Sequence, residues 1–139
     1  MNKDITIVGA GLAGSLCSLY LIKRGYKVTI FERRNDLRTE TITAGKSINL
    51  ALSTRGLTAL KQVGIDEDVM KIAIPMYKRL MHDEKGKITE QPYGNRGQAI
   101  YSISRAKLNV LMMQLAEKNG VILKFNEKCI GVNVEKKVF

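Results

Sequence analysis

The residues with the most chemistry to offer lie near the start of the chain: three glycines, Gly9, Gly11 and Gly14, and one acid, Glu32. Glu32 follows Gly11 by 21 residues. A G-x-G-x-x-G run with an acid about 20 residues further on is the spacing of a dinucleotide site. Each residue type has a physical task there. Gly9 permits a tight turn out of a strand. Gly11 has no side chain, so a pyrophosphate can approach the backbone. Gly14 lets a helix lie close to a sheet. The free N–H groups and the dipole of that helix's first turn then face the phosphates. An acid at the end of the next strand accepts hydrogen bonds from ribose 2′- and 3′-hydroxyls and repels a 2′-phosphate. The pattern suits FAD or NAD better than NADP. Its bland alternative is a glycine-rich strand–helix turn with no ligand.

The elements that must position these groups are legible around them. Residues 4–8 read as a strand and residues 12–24 as a helix, with Gly25 just past its end. Leu12, Leu16, Leu19 and Tyr20 mark the helix's expected apolar stripe, with Cys17 and Ile22 alongside. Residues 27–32 form a second strand, parallel to the first by the right-handed crossover rule. A polar loop follows, carrying Arg33, Arg34 and Arg38. These are either a solvated loop or, for one or two of them, partners of an adenosine or pyrophosphate. Next come a helix over 54–63, capped by Ser53 and ended by Gly64, and a helix over 66–73 closed by Pro75. Residues 76–83 and 87–92 read as a hairpin turning at 83–86. A strand over 99–103 leads to a helix over 105–119 capped by Ser104. Its stripe is Leu108, Leu111, Met112, Leu115 and Ala116. Strands over 121–125 and 129–134 close the chain. The order predicts an α/β, Rossmann-like parallel sheet with an inserted segment of helices and a β-hairpin between its second and third strands. Residues 121–125 should lie beside the second strand. The turn over 126–129 should then come close enough to contact an adenine by its backbone.

Composition narrows the class. The chain has 139 residues, 45% of them apolar, enough for one globular domain with a core. No apolar run reaches the ~18 residues needed to span a bilayer. The N-terminus leads straight into a strand without a signal-peptide pattern, so a cytoplasmic location is expected. The net charge is 23 − 13 = +10. A nucleic-acid surface is one reading of that excess; a solvated lysine face plus arginines meeting an anionic cofactor and substrate is the other. With no long Lys/Arg run and no RNA-stacking motif, nucleic acid is not expected as a partner. Two separated cysteines and a single histidine make a metal site improbable, and Cys17 reads as a buried, reduced thiol. There is no G-x-S-x-G.

Three further stretches carry a resemblance. They are Gly45-Lys46-Ser47-Ile48-Asn49-Leu50-Ala51-Leu52-Ser53-Thr54-Arg55-Gly56; Ile74-Pro75-Met76 with Arg79 and His82; and Pro92-Tyr93-Gly94 with Ser102-Ile103-Ser104-Arg105 and Leu108-Asn109. With the glycine motif and Glu32 they resemble the N-terminal part of the kynurenine 3-monooxygenase family of FAD-dependent aromatic hydroxylases. The resemblance covers essentially all of residues 1–139. It implies the N-terminal portion of an FAD-binding domain, incomplete relative to the family fold, in which an insertion over about 41–104 contributes to the substrate side. It implies hydroxylation of L-kynurenine to 3-hydroxykynurenine with NADPH and O₂, a step of tryptophan degradation. The chemistry belongs to the flavin, so no side-chain nucleophile or metal is implied. This chain alone is expected to be inactive, and any membrane association is expected to depend on sequence it lacks.

By the same resemblance, Gly9, Gly11, Leu12, Ala13 and Gly14 lie on the FAD pyrophosphate. Phe31, Glu32, Arg33 and Arg34 surround the adenosine ribose, and Cys129 meets adenine by its backbone. Ala51 approaches the flavin by its backbone, and Arg105 contacts the cofactor. Arg79 and Tyr93 take the substrate carboxylate, a role that suits a bidentate guanidinium reinforced by a phenol. Read from their own surroundings alone, Arg79 could be a solvated strand arginine and Tyr93 a packed turn aromatic. Lys46 and Tyr77 stand where the family favours arginine. Two competing readings are another flavoprotein hydroxylase and a cofactor-binding module without activity.

Overall fold

The computed structural model describes residues 3–39 and 48–133, which divide into two compact units. The first unit comprises residues 1–44 and 108–139, and the second residues 45–107. Gly45, Lys46 and Ser47 and the end of the strand expected over 129–134 lie outside the described residues.

The first unit is built on a parallel sheet. Strand β1 (Asp4–Val8) leads through the glycine turn into helix α1 (Leu12–Lys23), which returns the chain to β2 (Lys27–Glu32). β1 and β2 pair in parallel from Asp4 opposite Lys27 to Val8 opposite Phe31. The other edge of β2 pairs in parallel with the last strand among the described residues, Ile122–Phe125, from Thr29 opposite Ile122 to Glu32 opposite Phe125. β2 is thus the central strand, and its Val28 and Ile30 are buried as a parallel sheet demands. Leu108, Met112, Met113 and Ala116 add the buried side of a helix over Arg105–Lys118, and Val121 completes the core.

In the second unit, β3 (Asn49–Leu52) precedes α2 (Thr54–Val63), α3 (Asp66–Met70) and β4 (Ile74–Met76). The hairpin strands are β5 (Lys78–His82) and β6 (Ile88–Pro92), and β7 (Ile100–Ser104) follows. β7 is central to a small antiparallel sheet, flanked by β3 and β4. Leu60, Ile65, Val69 and Ile103 are its buried apolar residues. Helix α4 (Arg105–Lys118) starts in this unit and runs into the first, where β8 (Ile122–Phe125) follows it.

The architecture is the expected one: a parallel sheet whose third strand follows an inserted segment, with β8 beside β2. Four local expectations differ. The buried side of α1 is Ser15, Ser18 and Leu19, while Cys17 is exposed. The helix is apolar nearly all round, so periodicity could not choose a face. The choice is made by small side chains that let α1 approach the sheet. The helix expected over 66–73 ends at Met70, because Pro75 is not its stop but the middle of β4, paired with Tyr101. Ser53 stands at the N-cap of α2 but makes no side-chain cap bond. Residues 129–132 form no strand.

Candidate dinucleotide site

The glycine turn shows each glycine in a different task. Gly9 has φ +101°, a conformation side chains resist. Its N–H donates to the carbonyl of Phe31 at 2.8 Å, tying the turn to the end of β2. Gly11 has φ −75° and ψ 179°, ordinary for any residue, and a Cβ placed on it would meet nothing within 4 Å. Its freedom is therefore not needed by the protein's own packing; it leaves open space at the N-terminus of α1. Gly14 is the opposite case. A Cβ there would stand 2.0 Å from the Gly9 carbonyl oxygen and 3.4 Å from Ile7 Cγ2. Only glycine lets α1 sit this close to the turn.

Glu32 closes the other side. It ends β2, is 5% exposed, and is held by four donors. The Ala10 N–H donates to its Oε2 at 2.9 Å, so the acid is hydrogen-bonded directly to the glycine turn. The Arg34 N–H and Nε donate to Oε1 at 3.0 and 2.9 Å, and Arg34 Nη2 to Oε2 at 3.3 Å. The Arg34 guanidinium, assisted by the two backbone N–H groups, outweighs the cost of burial and holds the Glu32 carboxyl down at about 2. The acid is a fixed negative charge at any physiological pH.

The third strand brings the last wall. The Glu127 N–H donates to the Glu32 carbonyl at 3.0 Å, and the Asn126 N–H to the Arg34 carbonyl at 3.2 Å. Asn126 takes φ +61° to make the turn. Together the three segments enclose an open cavity of about 440 Å³ at the carboxyl ends of the strands, lined by Val8, Gly9, Gly11, Phe31, Glu32, Arg33, Arg34 and residues 127–129. That is the end of a parallel sheet where nucleotides bind. Among the predicted cofactor residues, Gly9, Gly11, Phe31, Glu32, Arg33, Arg34 and Cys129 line this one cavity. Leu12 and Ala13 open α1, and Gly14 packs it against the turn.

The three arginines of the loop separate by what they touch. Arg34 lies on Glu32. Arg33 is exposed at the cavity rim. Arg38 instead forks onto Asp36, with Nε to Oδ1 at 2.8 Å and Nη2 to Oδ2 at 2.7 Å. It also reaches Glu117 of α4 at 2.6 Å and lies over the Phe125 ring at 5.4 Å. Asp36 is pushed down and Arg38 pushed up by this mutual bonding. Arg38 fastens the loop to α4 and β8. Glu127 and Lys128 also line the cavity, in the turn over 126–129 that was expected there for its backbone; neither was singled out by its residue type, because a turn after a strand carries no side-chain signal of its own. Lys124 Nζ lies 5.3 Å from the centre of the Phe31 ring.

The remaining candidates belong to the second unit. Ala51 is in β3, paired with Ser102 of β7. Arg105 opens α4, and its N–H donates to the Ile48 carbonyl at 3.1 Å. Arg79 pairs with Gln91 across the hairpin and donates its Nε to Gln91 Oε1 at 2.7 Å. The Tyr93 N–H continues the ladder to the Tyr77 carbonyl at 3.0 Å. Strand alternation then puts Arg79, Gln91 and Tyr93 on one hairpin face, Arg79 and Tyr93 being diagonal neighbours. Both are exposed. Among the described residues, no helix is long and apolar enough to cross a membrane, and no group of three His, Cys, Asp or Glu could hold a metal ion.

A β-strand, a glycine turn, a helix and an acid closing the next strand define the class: the chain contains a Rossmann-like dinucleotide-binding fold. The profile of the NAD(P)-binding Rossmann-like domain matches residues 7–73. The chain is a relative of the kynurenine 3-monooxygenases and resembles their N-terminal part. It is 47% identical over 135 residues to the kynurenine 3-monooxygenase of Christiangramia forsetii, which covers 97% of this chain and 30% of that protein. It is 48% identical over 131 residues to that of Cytophaga hutchinsonii, covering 93% and 29%. To that of Anopheles gambiae it is 44% identical over 135 residues, covering 96% and 28%. The chain therefore spans about 30% of the length of these relatives. Among solved structures, 2-methyl-3-hydroxypyridine-5-carboxylic acid oxygenase shares the fold with a TM-score of 0.77 at 20% identity, over 96% of this chain and 34% of the other. The p-nitrophenol 4-monooxygenase of Pseudomonas putida does so with a TM-score of 0.75 at 17% identity, over 94% and 34%.

Proposed function

We propose that this chain supplies the FAD-binding part of a kynurenine 3-monooxygenase, an enzyme that hydroxylates L-kynurenine to 3-hydroxykynurenine with NADPH and O₂. The observation that carries the proposal is the cavity joining Gly9 and Gly11 to Glu32. Kynurenine and the 3-monooxygenase reaction are taken from the names of the relatives, and FAD, NADPH and O₂ from the resemblance in sequence. The residues fit the ADP half of FAD in three respects: an open approach at Gly11, a helix N-terminus behind it, and a buried acid at ribose distance in the sequence. Bound FAD would supply the redox chemistry, taking electrons from NADPH and activating O₂.

The chain's own residues bind and orient. The N–H groups of Leu12 and Ala13 face the pyrophosphate, and Glu32 accepts from the ribose. Phe31 and the backbone at Cys129 flank the adenosine. Because Glu32 stays ionised, a 2′-phosphate is repelled and FAD is preferred at this site over NADPH. Ala51 and Arg105 contribute to the cofactor, and Arg79 with Tyr93 holds the carboxylate of kynurenine. The guanidinium forks onto the carboxylate and the phenol O–H donates a second bond.

The test is a titration of FAD into the purified protein, followed by its visible absorbance and fluorescence. Stoichiometric binding is expected, and protein that folds but takes up no flavin would refute the reading. In the FAD-loaded full-length gene product, L-kynurenine should perturb the flavin spectrum. Arg79→Ala should abolish that response while leaving FAD bound. An unchanged response in the variant would remove Arg79 from the substrate site.

A further inference from the structure

A carboxylate offers about four lone-pair positions. In Glu32 all four are taken. Two of the donors are backbone N–H groups: Ala10 at 2.9 Å on Oε2 and Arg34 at 3.0 Å on Oε1. These are fixed by the glycine turn and by the start of the loop. The other two are the Arg34 side-chain nitrogens, Nε at 2.9 Å on Oε1 and Nη2 at 3.3 Å on Oε2. A ribose that donates its 2′- and 3′-hydroxyls needs two acceptor positions, and only the guanidinium can give them up. The contact is also unequal in burial. The Glu32 side chain is 7% exposed, whereas the Arg34 side chain is 53% exposed and can swing outward.

We infer that Arg34 is a displaceable cap on Glu32: its guanidinium occupies the two acceptor positions that the ribose hydroxyls of a nucleoside diphosphate require, and ligand binding lifts it off. This inference rests on the dinucleotide reading of the cavity. The cap has a physical reason to exist. A buried, ionised carboxylate without its full set of donors is costly, so between ligands the acid needs a stand-in for the ribose hydroxyls. The arginine satisfies the acid, keeps it ionised and lowers the apparent affinity for any ligand that must displace it. Arg34 is thus a specificity-determining residue. A ligand with both hydroxyls recovers the two bonds it breaks; a ligand without them leaves the cap in place.

The test uses ADP and 2′,3′-dideoxy-ADP as probes, titrated calorimetrically into the protein and its R34K and R34M variants. R34K keeps the positive charge near the diphosphate but loses the fork; R34M loses both. Without the cap, the competent site no longer has to be uncovered, and R34K should bind ADP about tenfold more tightly. R34M should gain less, because it also loses a favourable charge. R34K should leave the affinity for the dideoxy ligand unchanged, and R34M should weaken it by the lost charge alone. In the unsubstituted protein, the Arg34 Nε–H resonance should be protected from exchange without ligand and lose that protection when ADP saturates the site. If R34K and R34M bind ADP no more tightly than the parent, or if Arg34 Nε–H stays protected in the saturated complex, the cap is refuted while the site stands. If no form binds ADP, the dinucleotide reading falls and the cap with it.

Discussion

Replacing Gly14 and Gly11 one at a time by alanine separates what the fold needs from what a ligand needs. In Gly14→Ala the new Cβ would stand 2.0 Å from the Gly9 carbonyl oxygen. Side-chain Cβ atoms do not approach within 3.0 Å, so α1 must retreat by at least 3.0 − 2.0 = 1.0 Å, or the turn must move. Neither yields easily, since the obstacle is backbone and its neighbour Ala10 is bonded to Glu32. Overpacking of this kind costs about 3 kcal/mol, and the better helix propensity of alanine returns about 1 kcal/mol. The expected net loss is about 2 kcal/mol, or roughly 8 °C in Tm for a chain of this size. In Gly11→Ala the backbone angles suit alanine and the Cβ meets open space. Its stability should stay within about 0.5 kcal/mol of the parent. The methyl group instead enters the approach to the helix N-terminus, and ADP affinity should fall at least about tenfold, the equivalent of about 1.4 kcal/mol. Urea denaturation followed by circular dichroism reads the first quantity, and ADP calorimetry the second. Gly14→Ala as stable as the parent would refute the packing argument. Gly11→Ala that folds and binds ADP unchanged would refute the assignment of that space to a pyrophosphate.

Three other perturbations test the site's electrostatics, its frame and its rim. Folded Glu32 titrates at about 2 against an ordinary 4.5, so between those values the unfolded chain binds more protons and stability rises with pH. About 3 kcal/mol should be gained from pH 2 to pH 4.5 and be absent in Glu32→Gln, as read by denaturation at fixed ionic strength; a parent pH profile no steeper than the variant's would refute the depressed acid. Arg38→Ala removes bonds to Asp36 and Glu117 and the stack on Phe125, and should cost about 1–2 kcal/mol of stability, whereas Arg33→Ala should leave stability unchanged and weaken ADP binding several-fold.

The glycine spacing and Glu32 were legible in sequence because each is a backbone requirement or a charge at a strand end, and neither depends on distant packing. The place of β8 beside β2 followed from the order of elements and the handedness of the crossover. Less legible was anything decided by contact. Three arginines follow β2 within seven residues, and their types alone could not say that Arg34 lies on Glu32 while Arg38 anchors the loop to α4 and β8. Both forks close on an acid two residues earlier, Glu32 for Arg34 and Asp36 for Arg38. That acid-x-Arg spacing is a local signal that could have been read. Cys17 was misplaced for another reason: α1 has apolar residues on every side, and the face it buries is the one with the smallest residues. Pro75 was taken as a helix stop, but an edge strand accepts proline equally well, and β4 is an edge of its sheet.

Under the proposed function Glu32 has two jobs that cannot be separated by removing it. Its side chain bonds the glycine turn through Ala10 and the loop through Arg34, and its carbonyl accepts from Glu127 after β8. All three walls of the cavity meet at this one residue. Substituting Glu32 must loosen the frame and the ribose contact together, so a loss of binding in such a variant says little about either. Arg34 differs, because only its guanidinium competes with a ligand, while its N–H would still bond the acid in any variant that keeps the backbone. The frame and the ligand site share an acid but not the side chain on top of it. On this reading position 34 is the place where affinity should change while the backbone bonds that frame the site are kept.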